Sequence, residues 1–216
     1  MPDYRGLIVD FGGVLTTSLR DAFVSFCERE GIDYERVRAA MKAAYGDADA
    51  ESLVARFETG RLETHHFERE LATVLSRDLE SPLRHESLVT RMLRDLKLDR
   101  QMIAAVRTAR QTGIRTALLS NSWGVEYYPH DLLEELFDEI VISGRVGLRK
   151  PEAEIFHMAI ECVGLPAEEC LFIDDLRANI QAAEAAGMRG VLHEEASATI
   201  EELERLLGIT LRIDNL

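Results

Sequence analysis

Basic residues are scarce in this sequence. Its 216 residues include 25 Lys and Arg against 39 Asp and Glu, which gives a formal net charge of −14. Phosphate backbones and anionic membrane surfaces are bound through clustered Lys and Arg, so this charge argues against nucleic acid or a membrane as the main partner. A small phosphorylated substrate would need a bound cation and a few local basic groups.

Cysteine and long hydrophobic runs are also scarce. The three cysteines, Cys27, Cys162 and Cys170, are odd in number, lack metal-ligand spacing and lie within apolar patterns. We interpret them as buried free thiols of a reducing compartment. No run approaches the roughly 18 apolar residues that a membrane span needs, and no basic and apolar leader precedes the first strand. We therefore expect a cytoplasmic protein, either a monomer or a homodimer.

Two kinds of pattern divide the chain. After a short apolar strand at Gly6–Val9, helical segments follow one another: Leu19–Glu30, Tyr34–Tyr45, Glu51–Glu58, Thr64–Leu75 and His85–Leu96. From Arg100 onward helices alternate with strands at Thr116–Leu119, Glu139–Ile142, Cys170–Ile173 and Gly190–Leu192. Strands that alternate with helices of this length predict an α/β fold with a parallel sheet covered on both faces. The tail from Gly208 to Leu216 is a further candidate for an edge strand.

Polar residues follow the predicted strands, at the edge where open α/β sheets bind ligands. Asp10 ends the first strand and is followed by Gly12 and Gly13, which allow a sharp turn and bring backbone N–H groups close to an anion. The other polar groups are Ser120 and Asn121, Lys150 before Pro151, and the pair Asp174 and Asp175 with Asn179 one turn later. Taken singly, each has a structural alternative: a helix or turn cap for an acid or Ser120, an exposed cation for Lys150. Their common placement favours a single site.

Four segments carry a resemblance to a known family. DFGGV, LLSNS, RKPEAEIF and FIDDLRAN resemble the four motifs of the haloacid dehalogenase-like (HAD) superfamily. The phrases around them are most similar to the branch that contains the amino-terminal phosphatase domain of soluble epoxide hydrolases and bacterial sugar-phosphate phosphatases. The resemblance implies a Rossmann-like three-layer core at residues 1–15 and 99–216, with an inserted all-helical cap domain at 16–98.

The resemblance also implies a Mg²⁺-dependent phosphatase of a small phosphorylated metabolite. Asp10 would attack phosphorus to form an aspartyl-phosphate, while Ser120 and Lys150 hold the phosphate oxygens. Gly12, Gly13 and Asn121 would complete the phosphate site. The expected Mg²⁺ ligands are Asp10, the carbonyl of Gly12 and Asp175, with Asp174 acting through water or orienting the site and Asn179 supporting the loop.

One position departs from the family pattern. The usual first motif carries a second Asp two residues after the nucleophile, as the acid and base for the leaving group, and here that residue is Gly12. Three hypotheses follow: a phosphatase for esters with good leaving groups, a protein that only binds a phosphorylated ligand or a partner, and a haloacid dehalogenase. The paired acids Asp174 and Asp175 argue against the dehalogenase, which needs no metal, and Gly12 argues against a mutase.

Side chains outside the motifs complete the predicted site. Trp123, Tyr127 and Tyr128 follow the second motif, where they would line a substrate pocket, although core packing is the default for Trp123. His65 and His66 are alternative proton donors from the cap, but mid-helix histidines are more often surface or packing residues.

Overall fold

The computed structural model describes residues 4–45, 51–77, 79 and 81–211. Five strands form one sheet: β1 Gly6–Val9, β2 Arg115–Ser120, β3 Glu139–Ile142, β4 Cys170–Asp174 and β5 Arg189–Leu192. All neighbouring strands are parallel, in the order β3-β2-β1-β4-β5. The predicted parallel α/β sheet is confirmed.

The central strand explains why distant segments meet. β1 is buried along its whole length and pairs with β2 on one side and β4 on the other. Val9 lies opposite Leu118 of β2 and Ile173 of β4. In parallel strands this register brings the residues that follow, including Asp10 and Asp174, to the same edge of the sheet.

Helices cover both faces of the sheet. They are α6 Arg100–Gln111, α7 His130–Leu136, α9 Ala153–Val163, α10 Arg177–Ala185 and α11 Ala196–Leu207. Leu7 and Val9 belong to one hydrophobic cluster with α6, α7 and α11, whereas Ile8 belongs to another with α9 and α10. Alternate residues of a strand point to opposite faces, so β1 anchors both layers of a three-layer core.

The segment between β1 and α6 is helical. Its helices are α1 Leu19–Glu30, α2 Tyr34–Tyr45, α3 Leu53–Glu58, α4 Thr64–Leu75 and α5 Leu88–Leu93. They bury a separate hydrophobic cluster, which Trp123 from the loop after β2 joins. Where the chain leaves the sheet and returns to it, Thr16 and Leu98 form an antiparallel bridge. These contacts are consistent with an inserted cap, and the division at residues 16–98 stays a prediction.

Some sequence predictions were wrong in detail. The predicted helix His85–Leu96 is shortened to α5, because Ser87 adopts a left-handed conformation with φ of 53° at its start. A short helix, α8 Ser143–Val146, follows β3 directly. Cys162 is exposed rather than buried, since α9 buries a different set of apolar side chains, Ile155, Phe156, Ala159 and Val163. The described tail residues 208–211 form no strand, and 212–216 lie outside the described residues.

A membrane-spanning helix is not among the described elements. None of the helices in the described ranges has both the length and the apolar character that a bilayer crossing requires.

Candidate active site

Three acidic side chains meet at the edge of the sheet. Asp10 follows β1, while Asp174 ends β4 and Asp175 comes next. Each offers a carboxylate oxygen within 4.8 Å of the others. Asp10 is buried with 7% of its surface exposed, Asp174 is fully buried, and Asp175 is partly exposed. The sequence-predicted acids therefore form one cluster.

Lys150 is the cation of this cluster. Its Nζ lies 2.8 Å from Asp10 Oδ1 and 2.6 Å from Asp174 Oδ2, and it stands over the Phe172 ring at 5.6 Å from the centroid. Burial lowers the pKa of Lys150, but Asp10 and Asp174 more than offset that effect, so its pKa lies above the ordinary value. The lysine is thus held protonated beside the predicted nucleophile.

Asp174 has both of its carboxylate oxygens engaged by the protein. Its Oδ1 accepts hydrogen bonds from the Leu176 backbone N–H at 2.8 Å and from Asn179 Nδ2 at 2.9 Å. Its Oδ2 accepts from Lys150 Nζ at 2.6 Å and from Asn179 Nδ2 at 3.0 Å. An acid saturated in this way is a poor direct metal ligand, which favours the predicted indirect role for Asp174 and the supporting role for Asn179.

The cluster carries more negative than positive charge. Burial raises the pKa of Asp10 despite the opposing effect of Lys150, and the nearby Asp174 adds to the increase. Burial, followed by Asp174, raises the pKa of Asp175 to about 6. A divalent cation would stabilise both carboxylates, and Mg²⁺ prefers oxygen ligands of this kind. The donor chemistry at Asp10 and Asp175 therefore fits a hard metal ion.

The two glycines after Asp10 have different surroundings. Gly13 has φ of 79°, and a Cβ there would lie 2.4 Å from Asp175 Oδ2, so only glycine fits. Its N–H donates to Thr16 Oγ1 at 3.1 Å. A Cβ at Gly12 would find Leu19 at 3.4 Å, an ordinary contact distance. A Cβ therefore fits at Gly12 without displacing its neighbours.

Ser120 and Asn121 both lie at the end of β2, but their side chains have different partners. Ser120 Oγ is hydrogen-bonded to Tyr128 Oη at 2.9 Å. Asn121 Oδ1 accepts from the Lys150 N–H at 2.8 Å, and Asn121 Nδ2 donates to the Lys150 carbonyl at 2.9 Å. The Asn121 amide thus holds the backbone of Lys150, and the predicted contact of Asn121 with the phosphate stays a prediction.

A cavity of about 360 Å³ opens beside this cluster. Gly12, Ser120 and Asn121 contribute to its wall, together with side chains of the helical segment. The predicted pocket residues Trp123, Tyr127 and Tyr128 all line it as well.

Comparison with known proteins identifies the family. A family model described as haloacid dehalogenase-like hydrolase matches residues 4–187. The chain belongs to the haloacid dehalogenase-like hydrolases. A solved structure of a predicted HAD-like family hydrolase from Porphyromonas gingivalis is 25% identical, with a TM-score of 0.69 over 94% of this chain and 98% of that one. A HAD family enzyme from Bacteroides thetaiotaomicron, crystallised with magnesium and inorganic phosphate, is 18% identical with a TM-score of 0.60, over 88% and 94% of the two chains.

Curated relatives of this HAD hydrolase are matched over only part of their own length. Mouse acyl-CoA dehydrogenase family member 10 is 28% identical over 97% of this chain and 20% of its own length. The sesquiterpene phosphatase astK of Aspergillus oryzae is 31% identical over 52% of this chain and 59% of its own length. The chain thus spans less than two thirds of the length of the first curated relatives that it matches.

One buried acid of the HAD hydrolase was not predicted from the sequence. Glu58, at the end of α3, is 2% exposed and lies with its Oε2 2.9 Å from Arg149 Nε and 3.3 Å from Asn121 Nδ2. The N–H of Arg149 Nε makes no hydrogen bond despite the short distance, so the ion pair is poorly aligned. Burial raises the pKa of Glu58 to about 7, against the opposing effects of Arg149 and Lys150.

No local pattern marks Glu58, because its partners lie 63 and 91 residues further along the chain. The predicted alternative proton donors have the opposite character: His65 and His66 are exposed, and neither is among the residues that line the cavity beside the acidic cluster.

Proposed function

We propose that the protein is a Mg²⁺-dependent phosphatase that hydrolyses a small phosphoric monoester through an aspartyl-phosphate on Asp10. The observation that supports this most is the arrangement at the sheet edge, where a buried carboxylate stands beside a protonated lysine and faces a second acid pair. The phosphatase relative and the HAD structure crystallised with magnesium and phosphate point in the same direction. A cytoplasmic location stays a prediction.

The chemistry assigns a role to each side chain. Lys150 holds Asp10 through Oδ1, and no described residue hydrogen-bonds Asp10 Oδ2, which leaves that oxygen to attack phosphorus. The phosphorus–oxygen bond to the alcohol breaks, the alcohol leaves with a proton from solvent, and water then hydrolyses the aspartyl-phosphate. Lys150 and Ser120 would bind the phosphate oxygens as negative charge shifts during transfer.

Two of the acids would hold the metal. Asp10, the Gly12 carbonyl and Asp175 are the proposed ligands, with Asp174 acting indirectly because Lys150, Asn179 and the Leu176 N–H already occupy it. When bound, Mg²⁺ would neutralise the charge of the transferring phosphoryl group.

Gly12 favours a second candidate, a protein that binds a phosphorylated ligand with little or no turnover. General acid–base help is worth about 10²–10⁴-fold in rate, and the usual side chain for it is absent here. The two candidates differ in a measurable way, because only the phosphatase releases phosphate.

An aryl phosphate separates them, because its leaving group needs little protonation. We expect Mg²⁺-dependent release of phosphate from 4-nitrophenyl phosphate by the wild type and none by Asp10→Asn. Asp131→Asn, an exposed acid on α7, is the matched control and should keep wild-type activity. Phosphate release that survives Asp10→Asn would overturn the mechanism, and binding without release by the wild type would favour the second candidate.

A further inference from the structure

The cavity beside the acidic cluster has an apolar wall. Its lining is dominated by aromatic, leucine and proline side chains: Phe11, Leu19, Leu93, Leu96, Leu98, Trp123, Tyr127, Tyr128 and Pro129. Arg94 is the one charged side chain among the lining residues of this cavity. A wall of this composition binds hydrocarbon better than it binds a polyol.

The hydroxyl side chains of the wall are already engaged with the protein. Thr16 Oγ1 donates to the Thr17 carbonyl at 3.0 Å and accepts from the Gly13 N–H. Thr90 Oγ1 and Tyr127 Oη are 3.0 Å apart, a hydrogen bond like the one between Ser120 and Tyr128. Sugar hydroxyl groups in this cavity would lose water with few partners to replace it, which is unfavourable.

The apolar surface continues to the protein exterior. Leu98 is 46% exposed and Tyr127 is 37% exposed. With Leu176 they are the three large exposed apolar side chains found in the described part of the chain, so two of the three belong to this cavity. Exposed apolar side chains that adjoin an apolar cavity are typical of a ligand-binding site.

We propose that the alcohol part of the substrate is a long apolar chain, so that the ligand is the phosphoric monoester of a hydrophobic alcohol. This inference rests on the proposed function, because Gly12 and Ser120 place the phosphate end of the cavity next to Asp10. The phosphate would lie at the sheet edge, the chain along the wall, and the distal end of the chain at Leu98 and Tyr127.

Binding of non-hydrolysable alkylphosphonates tests this assignment without turnover. We expect calorimetry of the wild type with Mg²⁺ to show affinity rising about fourfold per added methylene from butyl- to decylphosphonate, below micelle-forming concentrations. A phosphonate of equal length that carries hydroxyl groups should bind no better than the butyl compound. An affinity that does not change with chain length, or preference for the hydroxylated ligand, would overturn the proposal.

Paired variants at the mouth of the cavity test where the alkyl chain of the ligand lies. Leu98→Asn should weaken binding of decylphosphonate about tenfold and leave butylphosphonate unchanged, while Leu98→Met keeps wild-type affinity for both. Tyr127→Asn and Tyr127→Phe form a second pair with the same expectation. Equal loss for short and long ligands in the Asn variants would contradict the proposed position of the chain.

The outcomes also separate this inference from the proposed function. Phosphate release from an aryl phosphate without any chain-length dependence would overturn the hydrophobic alcohol and leave the phosphatase. Chain-length-dependent binding without phosphate release from any ester would overturn the phosphatase and support the hydrophobic ligand.

Discussion

Replacing Glu58 by glutamine should change how the stability of the protein depends on pH. Glu58 is buried, and the nearby Arg149 does not donate a hydrogen bond to it through Nε. Burial raises its pKa to about 7 from an ordinary value of 4.5. Between these two pH values the folded protein keeps a proton on Glu58 that the unfolded chain releases.

The sign of the effect follows from this difference in proton binding. Because the folded state binds more protons, the stability contributed by Glu58 is present below pH 4.5 and is lost as the pH rises through about 7. Complete ionisation of Glu58 lowers the free energy of unfolding by about 3 kcal/mol, and about 2–3 kcal/mol of this loss occurs between pH 5 and pH 8. A glutamine side chain cannot ionise, so the variant Glu58→Gln lacks this loss.

Urea unfolding of both proteins at pH 5 and pH 8, in EDTA, measures the difference. From pH 5 to pH 8, we expect the free energy of unfolding of the wild type to fall by about 2–3 kcal/mol more than that of Glu58→Gln. This difference corresponds to about 5–10 °C in melting temperature. Other titrating groups cancel in the comparison, and any constant cost of the amide does not affect it. The control variant Glu161→Gln changes an exposed acid on α9, and its free energy of unfolding should depend on pH as that of the wild type does.

A stability difference that stays constant from pH 5 to pH 8 would refute the reasoning. A change of opposite sign would mean that Arg149 holds Glu58 ionised, and that their 2.9 Å contact is a well-formed ion pair in solution.

Three further substitutions probe the acidic cluster. Gly12→Asp, whose Cβ would meet Leu19 at an ordinary contact distance, should raise kcat for alkyl phosphates by up to about 10²-fold and kcat for aryl phosphates much less. Equal gains in kcat for both esters would show that the missing acid does not limit the reaction. Lys150→Met should lower the free energy of unfolding by about 3–5 kcal/mol in EDTA, because buried carboxylates lose their cation, and added Mg²⁺ should restore part of it. Gly13→Ala should cost about 1–3 kcal/mol in stability and reduce phosphate release, since its φ is 79° and its Cβ would overlap Asp175; wild-type stability would contradict the observed backbone.

The sheet could be predicted from sequence because its signals are local. β1 is a short apolar run that ends in an acid, and the strands after it alternate with amphipathic helices. Helix ends could also be predicted from the sequence where a glycine ends the helix. For example, α1 ends at Gly31, which adopts φ of 69°. Once the strands are parallel, residues that follow them meet at one edge, and for this reason Asp10, Lys150 and Asp174 could be grouped from the sequence alone.

Contacts between segments distant in sequence could not be predicted in the same way. The role of Asn121 depends on Lys150, 29 residues away, and the burial of Glu58 depends on how α3 packs against the loop before α9. The prediction that Cys162 is buried was wrong for a related reason. Cys162 lies within an apolar pattern of the sequence, as buried residues do, but it is on the outer side of α9. Such outcomes depend on which helix faces meet, and the local pattern does not determine that.

In the proposed reaction, Gly12 and the apolar cavity would affect different steps. Methylenes that pack against the wall are bound equally in the ground state and the transition state, so they lower KM and leave kcat unchanged. The proton that Gly12 cannot supply is needed only in the transition state, so its absence lowers kcat. A long apolar ester would therefore bind tightly and turn over slowly, and its hydrolysis would be limited by the same residue that distinguishes this chain from the family motif.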